Sequence, residues 1–535
     1  MQANELEVQL RSRLEQSPHS AAAMNNYGAF LRQQGRYAES EALLQDAFRV
    51  RPDSVEICFN LALVLVDLGR FDEAEVAVRR ACALKPDFAD AHGVLGDVLS
   101  KQARWAESEK VFREAISIKP HDANLYSALG NVLRLQRRLP EAEAVLKHAL
   151  TLDPNSFQTH QTLGIVLDSQ ERVEEAEAAT RRSLAIRPDN APAKLSLGFI
   201  LLRSGQYAEG WTRFETRLDT HRSTDWDSDN FDLAPAAAPS FSIVRWRHGE
   251  PIARKSLLVV QEEGLGDVIQ FARFLPMLKA RGVSRLSVLC SPNLARLLEC
   301  VDGVDEVIPS TQGIDVASYD RWCFMMSLPH RLDITLANLP ADVPYFRLPD
   351  AQVTRWSKTF AQRAPSRSPK VGLVWGGSHR LGCARPGRFD TTENEQRSIA
   401  LSSLIDCLAI PGIEFFSLQM GGPEAELTQI PPHLRPVDLM SGVTDLADTA
   451  ALIEQLDLVI SVDTSVAHLA GALGKPVWIL CRFAGDWRWL VGRDDSPWYP
   501  SARLFRQSRP DDWTDVIAKV GQCLRELARS EAPPR

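Results

Sequence analysis

Paired cysteines, long apolar runs and excess positive charge are all missing from this sequence of 535 residues. The nine cysteines are scattered and none forms a C-x-x-C pair, which favours free thiols in a reducing compartment over a disulfide framework or a zinc knuckle. The longest apolar runs fall far short of the ~20 residues that a membrane-spanning helix needs. The net charge of -8 argues against a general nucleic-acid binder, because phosphate affinity comes mainly from Lys and Arg.

The first residues, MQANELEVQL, have neither the basic start nor the apolar core of a secretory signal peptide. Together with the free thiols, this predicts a cytoplasmic protein with no membrane span. Apolar residues make up 44% of the chain, which is ordinary for a globular protein with room for several cores. At roughly 150 residues per domain, the length predicts three or four folding units.

The N-terminal part of the chain repeats with a period of 34 residues. Prolines, small residues, and an apolar or aromatic residue followed two places later by Glu all recur in the same phase. The prolines are Pro52, Pro86, Pro120, Pro154 and Pro188, and the small residues are Gly28, Ala62, Gly96, Gly130, Gly164 and Gly198. Each period predicts a helical hairpin, in which the small residue permits close helix approach and the proline ends the second helix. Such hairpins bury their apolar faces by stacking into a superhelix.

The repeats at residues 21–190 resemble the tetratricopeptide (TPR) consensus. We therefore predict a TPR α-solenoid of about six hairpins over residues 1–217, whose concave face binds a protein. The sixth hairpin departs from the pattern at Gly210 and Trp211, which indicates a terminal hairpin that meets the next domain. Asn26 and Asn60 share a position on two first helices, with Asn131 three places further along its own. These amides are either a ladder for an extended peptide or solvated polar residues.

Residues 218–242 are rich in Asp, Ser, Ala and Pro, and they predict a linker. Asp225, Asp227 and Asp229 are spaced like a metal-binding motif for a sugar diphosphate. No strand precedes them, so a solvated acidic loop is the favoured interpretation.

A first α/β lobe is predicted over residues 243–360. The apolar run 256–260 reads as a strand, and it leads through Gly264 and Gly266 into a helical pattern that starts near Asp267. This order of elements brings backbone N–H groups to a ligand at a helix N-terminus. Asp267 is a favourable helix cap in one interpretation and a carboxylate that takes a proton from an acceptor hydroxyl in the other.

A second lobe is predicted over residues 368–535. One strand, 370–375, leads into Gly376–Gly377–Ser378, and another, 413–418, ends at Gln419. The clearest segment has a strand ending at Asp463 and Thr464, then a short helix that contains Ser465 and His468. A helix N-terminus with hydroxyl donors suits a diphosphate, and His468 lies one turn further on the same face. The alternative is that Asp463 and Thr464 cap the helix while His468 packs between the lobes.

Several motifs together resemble the glycosyltransferase family that includes the lipopolysaccharide heptosyltransferases, fused to a TPR array. They are GLGDxIQF at 264–271, VGLVW at 371–375, RSIxL at 397–401, FFSLQ at 415–419, DTSxAHLAGALGxPVW at 463–478, DWRWL at 486–490 and PWYP at 497–500. The resemblance implies a GT-B fold of two Rossmann-like lobes, with the nucleotide sugar held mainly by the second. It implies metal-independent, inverting displacement with no cofactor beyond the nucleotide-sugar co-substrate.

The same resemblance assigns roles to residues. Asp267 matches the general base, Arg397 falls where a basic residue holds the diphosphate, and Asp463, Thr464 and His468 match the donor-binding loop. We therefore predict Asp267 and His468 as catalytic, with no metal ligands. The predicted donor-binding residues are Gly264, Gly266, Ser378, Arg397, Gln419, Asp463, Thr464, Ser465 and His468.

Two positions depart from the family pattern. Ser465 stands where heptosyltransferases usually have Gly, and Met420 stands where relatives often have Lys. Arg482 and Arg488 are candidates to supply the lost positive charge, and Arg380 and Arg385 are candidates to close over the donor.

These features predict a glycosyltransferase that modifies Ser or Thr of a protein held by the array, with flagellin as one candidate. Two alternatives stay open. One is transfer to a lipid-linked or surface polysaccharide, and the other is a non-catalytic TPR scaffold with a degenerate sugar-nucleotide domain.

Overall fold

A computed structural model describes residues 2–220, 242–262, 264–363, 368–377 and 395–529. The described chain divides into two compact units, of which the first ends at Asn190 and the second begins at Ala191. The predicted linker lies outside the described residues except at its two ends, and Asp225, Asp227 and Asp229 fall in the part that is not described. No helix in the described ranges is long and apolar enough to cross a membrane.

Eleven helices are described in the first unit, and after the first of them they pair into the hairpins that the sequence period predicted. Their bounds are α1 (Gln2–Gln16), α2 (Ala21–Gln33), α3 (Tyr37–Val50), α4 (Val55–Asp67), α5 (Phe71–Leu84), α6 (Ala89–Lys101), α7 (Trp105–Ile118), α8 (Ala123–Leu135), α9 (Leu139–Leu152), α10 (Phe157–Ser169) and α11 (Val173–Ile186).

The small residue of each period lies where the two helices of a hairpin touch. A Cβ added to Gly96 would lie 2.7 Å from the ring of Phe112, and one on Gly130 would lie 2.6 Å from Leu146. Gly69 has a φ of +74° in the turn between α4 and α5, a conformation that favours glycine. The close helix approach predicted at Gly96 and Gly130 is therefore confirmed.

A ladder of arginines connects successive hairpins, and the sequence period alone did not reveal it. Arg104 donates to Glu107 in its own helix at 2.7 Å and to Glu75 in the preceding repeat at 2.7 Å. The equivalent arginines make the same two pairs. They are Arg36 with Glu39 and Glu7, Arg70 with Glu73 and Glu41, Arg138 with Glu141 and Glu109, and Arg172 with Glu175 and Glu143.

The second unit begins with three helices, α12 (Ala191–Arg203), α13 (Tyr207–Phe214) and α14 (Arg217–Thr220). Its strands are β1 (Ser256–Val260), β2 (Arg285–Cys290), β3 (Glu306–Pro309), β4 (Arg321–Phe324), β5 (Lys370–Val374), β6 (Glu414–Ser417), β7 (Val437–Asp438), β8 (Leu458–Val462), β9 (Val477–Cys481) and β10 (Ala502–Arg506). The remaining helices are α15 (Leu265–Phe271), α16 (Leu275–Ala280), α17 (Pro292–Leu298), α18 (Leu328–Arg331), α19 (Asp350–Arg363), α20 (Ile405–Leu408), α21 (Leu446–Ile453), α22 (Ser465–Ala472) and α23 (Thr514–Arg529).

The strands form two separate parallel sheets, which confirms the predicted α/β class. The first sheet has the order β3-β2-β1-β4, and the second has the order β10-β9-β8-β5-β6-β7. In register, Leu258 of β1 pairs with Ser287 of β2, and Val459 of β8 pairs with Val477 of β9. β1 and β8 each have a neighbouring strand on both sides, and their side chains are almost fully buried, as is typical of parallel strands in a sheet covered on both faces.

Helices α12 and α13, the sixth hairpin, are part of the core of the second unit. The rings of Tyr207 and Trp211 are buried, and Trp211 packs edge-on against Phe271 and Trp487. The indole N–H of Trp498 donates to the Tyr207 hydroxyl at 2.9 Å. The hairpin that departs from the repeat pattern is thus built into the α/β fold.

Candidate functional site

In the second unit, two helices meet at their N-termini, and each of them follows a strand of a different sheet. Helix α15 follows β1 and is capped by Gly264, while α22 follows β8 and is capped by Thr464. A Cβ built on Gly266 would lie 2.9 Å from Cδ2 of His468 and 3.5 Å from Cα of Ser465. The first turns of the two helices are therefore in van der Waals contact, with the carboxyl ends of both parallel sheets turned toward the same place.

Asp267 lies in the first turn of α15 and forms an ion pair with Arg488. The same guanidinium donates through Nε to the side-chain oxygen of Gln270 at 2.6 Å and through Nη1 to Asp486 at 2.8 Å. Gln270 is fully buried, and its Nε2 atom has no hydrogen-bond partner among the described residues. One arginine thus links the first turn of α15 to the segment that follows β9.

Burial alone would lower the pKa of Arg488, but the carboxylates of Asp486 and Asp267 outweigh it and raise that pKa. Arg488 therefore keeps its charge inside the protein, where its side chain is 10% exposed. Its guanidinium also lies 4.4 Å from the ring centroid of Trp487, which restricts its position further.

His468 is buried and neutral. Burial, and then the positive charge of Arg488, lower the pKa of His468 to about 3. Its Nδ1 shares a hydrogen bond of 2.9 Å with the Tyr499 hydroxyl, and its ring stacks on Trp489 with centroids 5.2 Å apart. At neutral pH the imidazole can therefore offer a single N–H to a ligand but no positive charge.

The loop before α22 is held by partners from two directions. Asp463 accepts from the indole N–H of Trp489 at 2.9 Å, and its main-chain oxygen accepts from Arg397 at 3.3 Å. Burial, and then the negative charge of Asp486, raise the pKa of Asp463. The hydroxyls of Thr464 and Ser461 share a hydrogen bond of 3.0 Å, and Thr464 makes no side-chain cap to the helix amides.

Gln419 fixes the loop that follows β5. Its oxygen accepts from the backbone N–H groups of Trp375 and Gly376, at 3.1 and 2.9 Å. Its amide nitrogen donates to the carbonyls of Gly376 and Met420. The side chain of Met420 is 51% exposed. Ser378, predicted to contact the donor, lies outside the described residues, as do Arg380 and Arg385.

Family models match both parts of the chain. Tetratricopeptide repeat models match residues 19–87, 59–123 and 94–157, and the glycosyltransferase family 9 (heptosyltransferase) model matches residues 413–480. The latter segment runs from β6 to β9 and includes Gln419, Asp463, Thr464, Ser465 and His468.

The chain is therefore similar to tetratricopeptide repeats over residues 19–157 and to glycosyltransferase family 9 over residues 413–480.

Protein FlbA of Caulobacter vibrioides is similar to this chain, with 30% identity over 357 residues. The match covers 62% of this chain and 54% of FlbA, so the chain spans about half the length of the curated relative it matches. Two solved structures also match part of the chain. A thermophilic TPR protein of Thermus thermophilus has 23% identity and a TM-score of 0.31, covering 34% of this chain and all of that one. Pseudomonas aeruginosa pilF has 20% identity and a TM-score of 0.33, covering 39% and 93% of the two chains.

The predicted residues Gly266, Asp267, Ser465 and His468 lie together, and Arg397 reaches the same loop through Asp463. Gln270, Trp489 and Tyr499 stand within the quoted motifs but were not predicted as site residues. Gln270 bonds to Arg488, and the other two contact the ring of His468. A signal was present for Gln270, which lies three residues after Asp267 and therefore on the same helix face. No local pattern indicates that Tyr499 would reach His468.

Proposed function

We propose that the second unit is a GT-B glycosyltransferase that moves a sugar from a nucleotide-sugar donor to an acceptor hydroxyl. One observation carries the proposal. The carboxylate-bearing first turn of α15 and the N-terminus of α22 are in contact, with 3.5 Å between Cα of Ser465 and a Cβ built on Gly266. A base from one lobe and an anion-binding helix terminus from the other are what such a transfer requires.

The reaction is a single inverting displacement. The amides that begin α22 bind the donor diphosphate, because a helix N-terminus carries unpaired N–H groups and partial positive charge. The hydroxyls of Thr464 and Ser465 and the guanidinium of Arg397 add donors. Asp267 takes the proton of the acceptor hydroxyl as its oxygen bonds to the anomeric carbon and the bond from that carbon to the diphosphate breaks.

His468 acts in this scheme as a neutral hydrogen-bond donor to the leaving nucleoside diphosphate, since its depressed pKa of about 3 leaves it uncharged. Arginines take the role that a divalent metal has in other transferases, so we propose a metal-independent reaction. If the reaction needs no metal, sugar transfer should persist after the protein is treated with EDTA. Loss of transfer that Mg²⁺ or Mn²⁺ restores would contradict this part of the proposal.

The acceptor we propose is a Ser or Thr hydroxyl of a protein held by the repeats, in the cytoplasm, with flagellin as the first candidate to assay. The motivation is that a repeat array offers a long surface for a polypeptide. The full-length protein should transfer labelled sugar to protein, with the label released by β-elimination. Label found only in lipid-linked or free glycan would favour the polysaccharide alternative instead.

A non-catalytic scaffold is the second candidate, because the exposed Met420 stands where relatives often have Lys. Donor turnover separates the two candidates. A thermal-shift screen of UDP-, GDP-, ADP- and CMP-linked sugars identifies the donor, since ligand at 100 times its Kd stabilises the protein by ~2.7 kcal/mol. Asp267→Asn should then lower transfer by about 10²- to 10⁴-fold while donor binding persists.

The matched control is Asp495→Asn, which removes a carboxylate from an ion pair of the same kind with Arg493, where the Asp495 side chain is 65% exposed. This variant should transfer sugar as the wild type does. Full activity in Asp267→Asn would remove the assigned base, and no turnover by the wild type with any of these donors would favour the scaffold.

A further inference from the structure

Arg488 is in contact with the proposed base and close to the proposed diphosphate site. It pairs with Asp267, which directly follows Gly266, the residue that packs on Ser465 and His468. Its neighbour Trp489 donates to Asp463 in the loop before α22. Arg488 is therefore linked to the start of α22 in two ways. One link runs through Asp267 and the adjacent Gly266, and the other through its neighbour Trp489.

The carboxylates around this arginine outnumber it. Asp267 and Asp486 both contact the single guanidinium, and Asp463 lies close enough that the charge on Asp486 affects its pKa. A donor diphosphate would bring further negative charge to the same place. Arg397 and Arg482 also act on Asp463 and Asp486, whereas Asp267 and a diphosphate at the start of α22 would both draw on Arg488. Because like charges in a buried site repel strongly, these two negative groups compete for the same cation.

We infer that Arg488 is shared between Asp267 and the donor diphosphate. This inference rests on the proposed function. While Arg488 holds Asp267, it stabilises the carboxylate charge and makes Asp267 a weaker base. When the diphosphate binds at the start of α22, its charge competes for the guanidinium, and Asp267 is released to take the acceptor proton. Donor binding thereby turns on the base.

Gln270 is part of the same arrangement around Arg488. Its side-chain oxygen accepts from Arg488 Nε, and its buried Nε2 has no partner within the part of the chain that the structure describes. A buried N–H without a partner costs about 1–3 kcal/mol, so a ligand oxygen or a carboxylate freed from Arg488 is a favourable acceptor for it. A planar guanidinium is also the side chain suited to bind Asp267, Asp486 and Gln270 at once, which an ammonium group cannot do with the same geometry.

A double-mutant cycle on nucleoside diphosphate binding tests the inference without needing the acceptor. The probes are UDP, GDP and ADP, titrated calorimetrically into the full-length protein. Asp267→Asn removes one of the two carboxylates that contact Arg488, so the phosphates compete for it more easily and should bind about tenfold more tightly. Arg488→Gln should weaken binding by about tenfold, and the double variant should bind as weakly as Arg488→Gln alone.

Two further variants guard against misinterpretation. Asp495→Asn should leave nucleotide affinity unchanged, which shows that the gain in Asp267→Asn does not come from net charge. Arg488→Lys keeps the positive charge but not the planar, forked guanidinium. It should bind the nucleoside diphosphate more tightly than Arg488→Gln and less tightly than the wild type. Circular dichroism spectra that match the wild type show that each variant is folded.

The outcomes are distinguishable. If the wild type binds one of the three diphosphates but Asp267→Asn gains no affinity, or the two substitutions have additive effects, Arg488 is only a tie between the lobes and the inference is wrong while the donor site stands. If the wild type binds none of them, the inference is wrong, and the proposed function is wrong as well if no nucleotide sugar of the thermal-shift screen stabilises the protein.

Discussion

The two units of this chain use arginine–carboxylate pairs in opposite ways. In the repeats, each ladder arginine is partly exposed, as with Arg104 at 37%, and it bridges carboxylates at the surface. In the α/β unit, Arg217 is 5% exposed and binds the carboxylate of Glu262, itself 1% exposed, through two bonds of 2.8 Å. Each surface pair makes a small, local contribution to the stability of the repeats. The buried pair makes one large contribution, which is lost when either partner is removed.

The difference extends to sequence separation. Ladder partners lie 3 and 29 positions apart, within the repeat period or just short of it. In the second unit, Arg217 reaches Glu262 across 45 positions, and Arg488 reaches Asp267 across 221. Contacts of the first kind follow from the repeat, while those of the second kind exist only once the whole unit has folded.

The buried pair should therefore show the largest effect. We expect Arg217→Ala to destabilise the second unit by ~3–5 kcal/mol, because it leaves the carboxylate of Glu262 buried without its cation. Hydrogen exchange read by mass spectrometry on the full chain should show faster exchange in α14, β1 and β4. Arg285→Ala removes a half-exposed pair with Glu306 in the same sheet and serves as the control. Equal effects of the two substitutions would remove the contrast between buried and surface pairs.

The contact between α15 and α22 should be the next most sensitive feature. In Gly266→Ala, the new methyl would lie 2.9 Å from the His468 ring, so the two helices must separate. We expect a stability loss of ~1–3 kcal/mol from overpacking. Transfer should fall by about 100-fold, because a shift of 1 Å between lobes misaligns the reacting groups.

Gly313→Ala is the control for this substitution, since a Cβ at Gly313 meets nothing within 4 Å. Differential scanning fluorimetry and a transfer assay measure both effects. If Gly266→Ala is as active and as stable as Gly313→Ala, the two helices are not in functional contact.

The dependence of stability on pH should report the burial of His468. The pKa of His468 is lowered to about 3 in the folded protein, so the unfolded state binds more protons between pH 6.5 and pH 3. His468 therefore contributes stability above pH 6.5 that is lost as the pH falls toward 3, at up to ~1.4 kcal/mol per pH unit.

Chemical denaturation across this range measures the slope. His468→Gln should lose less stability on acidification than the wild type. A wild-type slope identical to that of His468→Gln would show that the histidine takes up its proton in the folded state.

The surface ladder should show the smallest effect. Arg104→Ala breaks pairs with Glu75 and Glu107, and we expect a loss of ~1 kcal/mol or less because the pairs are solvent-screened. Hydrogen exchange in α5 and α7 should report it, and the effect should shrink at 1 M salt, where the Debye length is about 3 Å. Arg49→Ala removes a pair that lies within α3 alone and is the control. A loss that is independent of salt would mean that the arginine stems, not their charges, hold the repeats together.

Much of this architecture could be predicted from sequence. The repeat helices follow from a period that recurs in several residue types, and the strand predicted at 256–260 coincides with β1. The glycine turn before α15 was visible as well. Local signals suffice for these features because the contacts that stabilise them are close in the chain or repeated.

The rest depends on distant contacts. The sequence indicated Arg488 only as a candidate to supply the positive charge lost at Met420. Nothing near it in the sequence indicates that it pairs with Asp267. Likewise, the aromatic residues of the sixth hairpin mark a departure from the repeat, but only the folded unit shows Tyr207 bonded to Trp498 across 291 positions. The role of Gln419 in holding the backbone of Trp375 and Gly376 is of the same kind.

A crystal structure with the nucleoside diphosphate that binds most tightly is the most direct measurement. We expect phosphate oxygens at hydrogen-bond distance, about 3 Å, from the amides of Ser465 and Val466, with Asp267 facing the same space and Arg488 turned to the phosphates. Phosphates bound elsewhere on the second unit, with the start of α22 untouched, would contradict it.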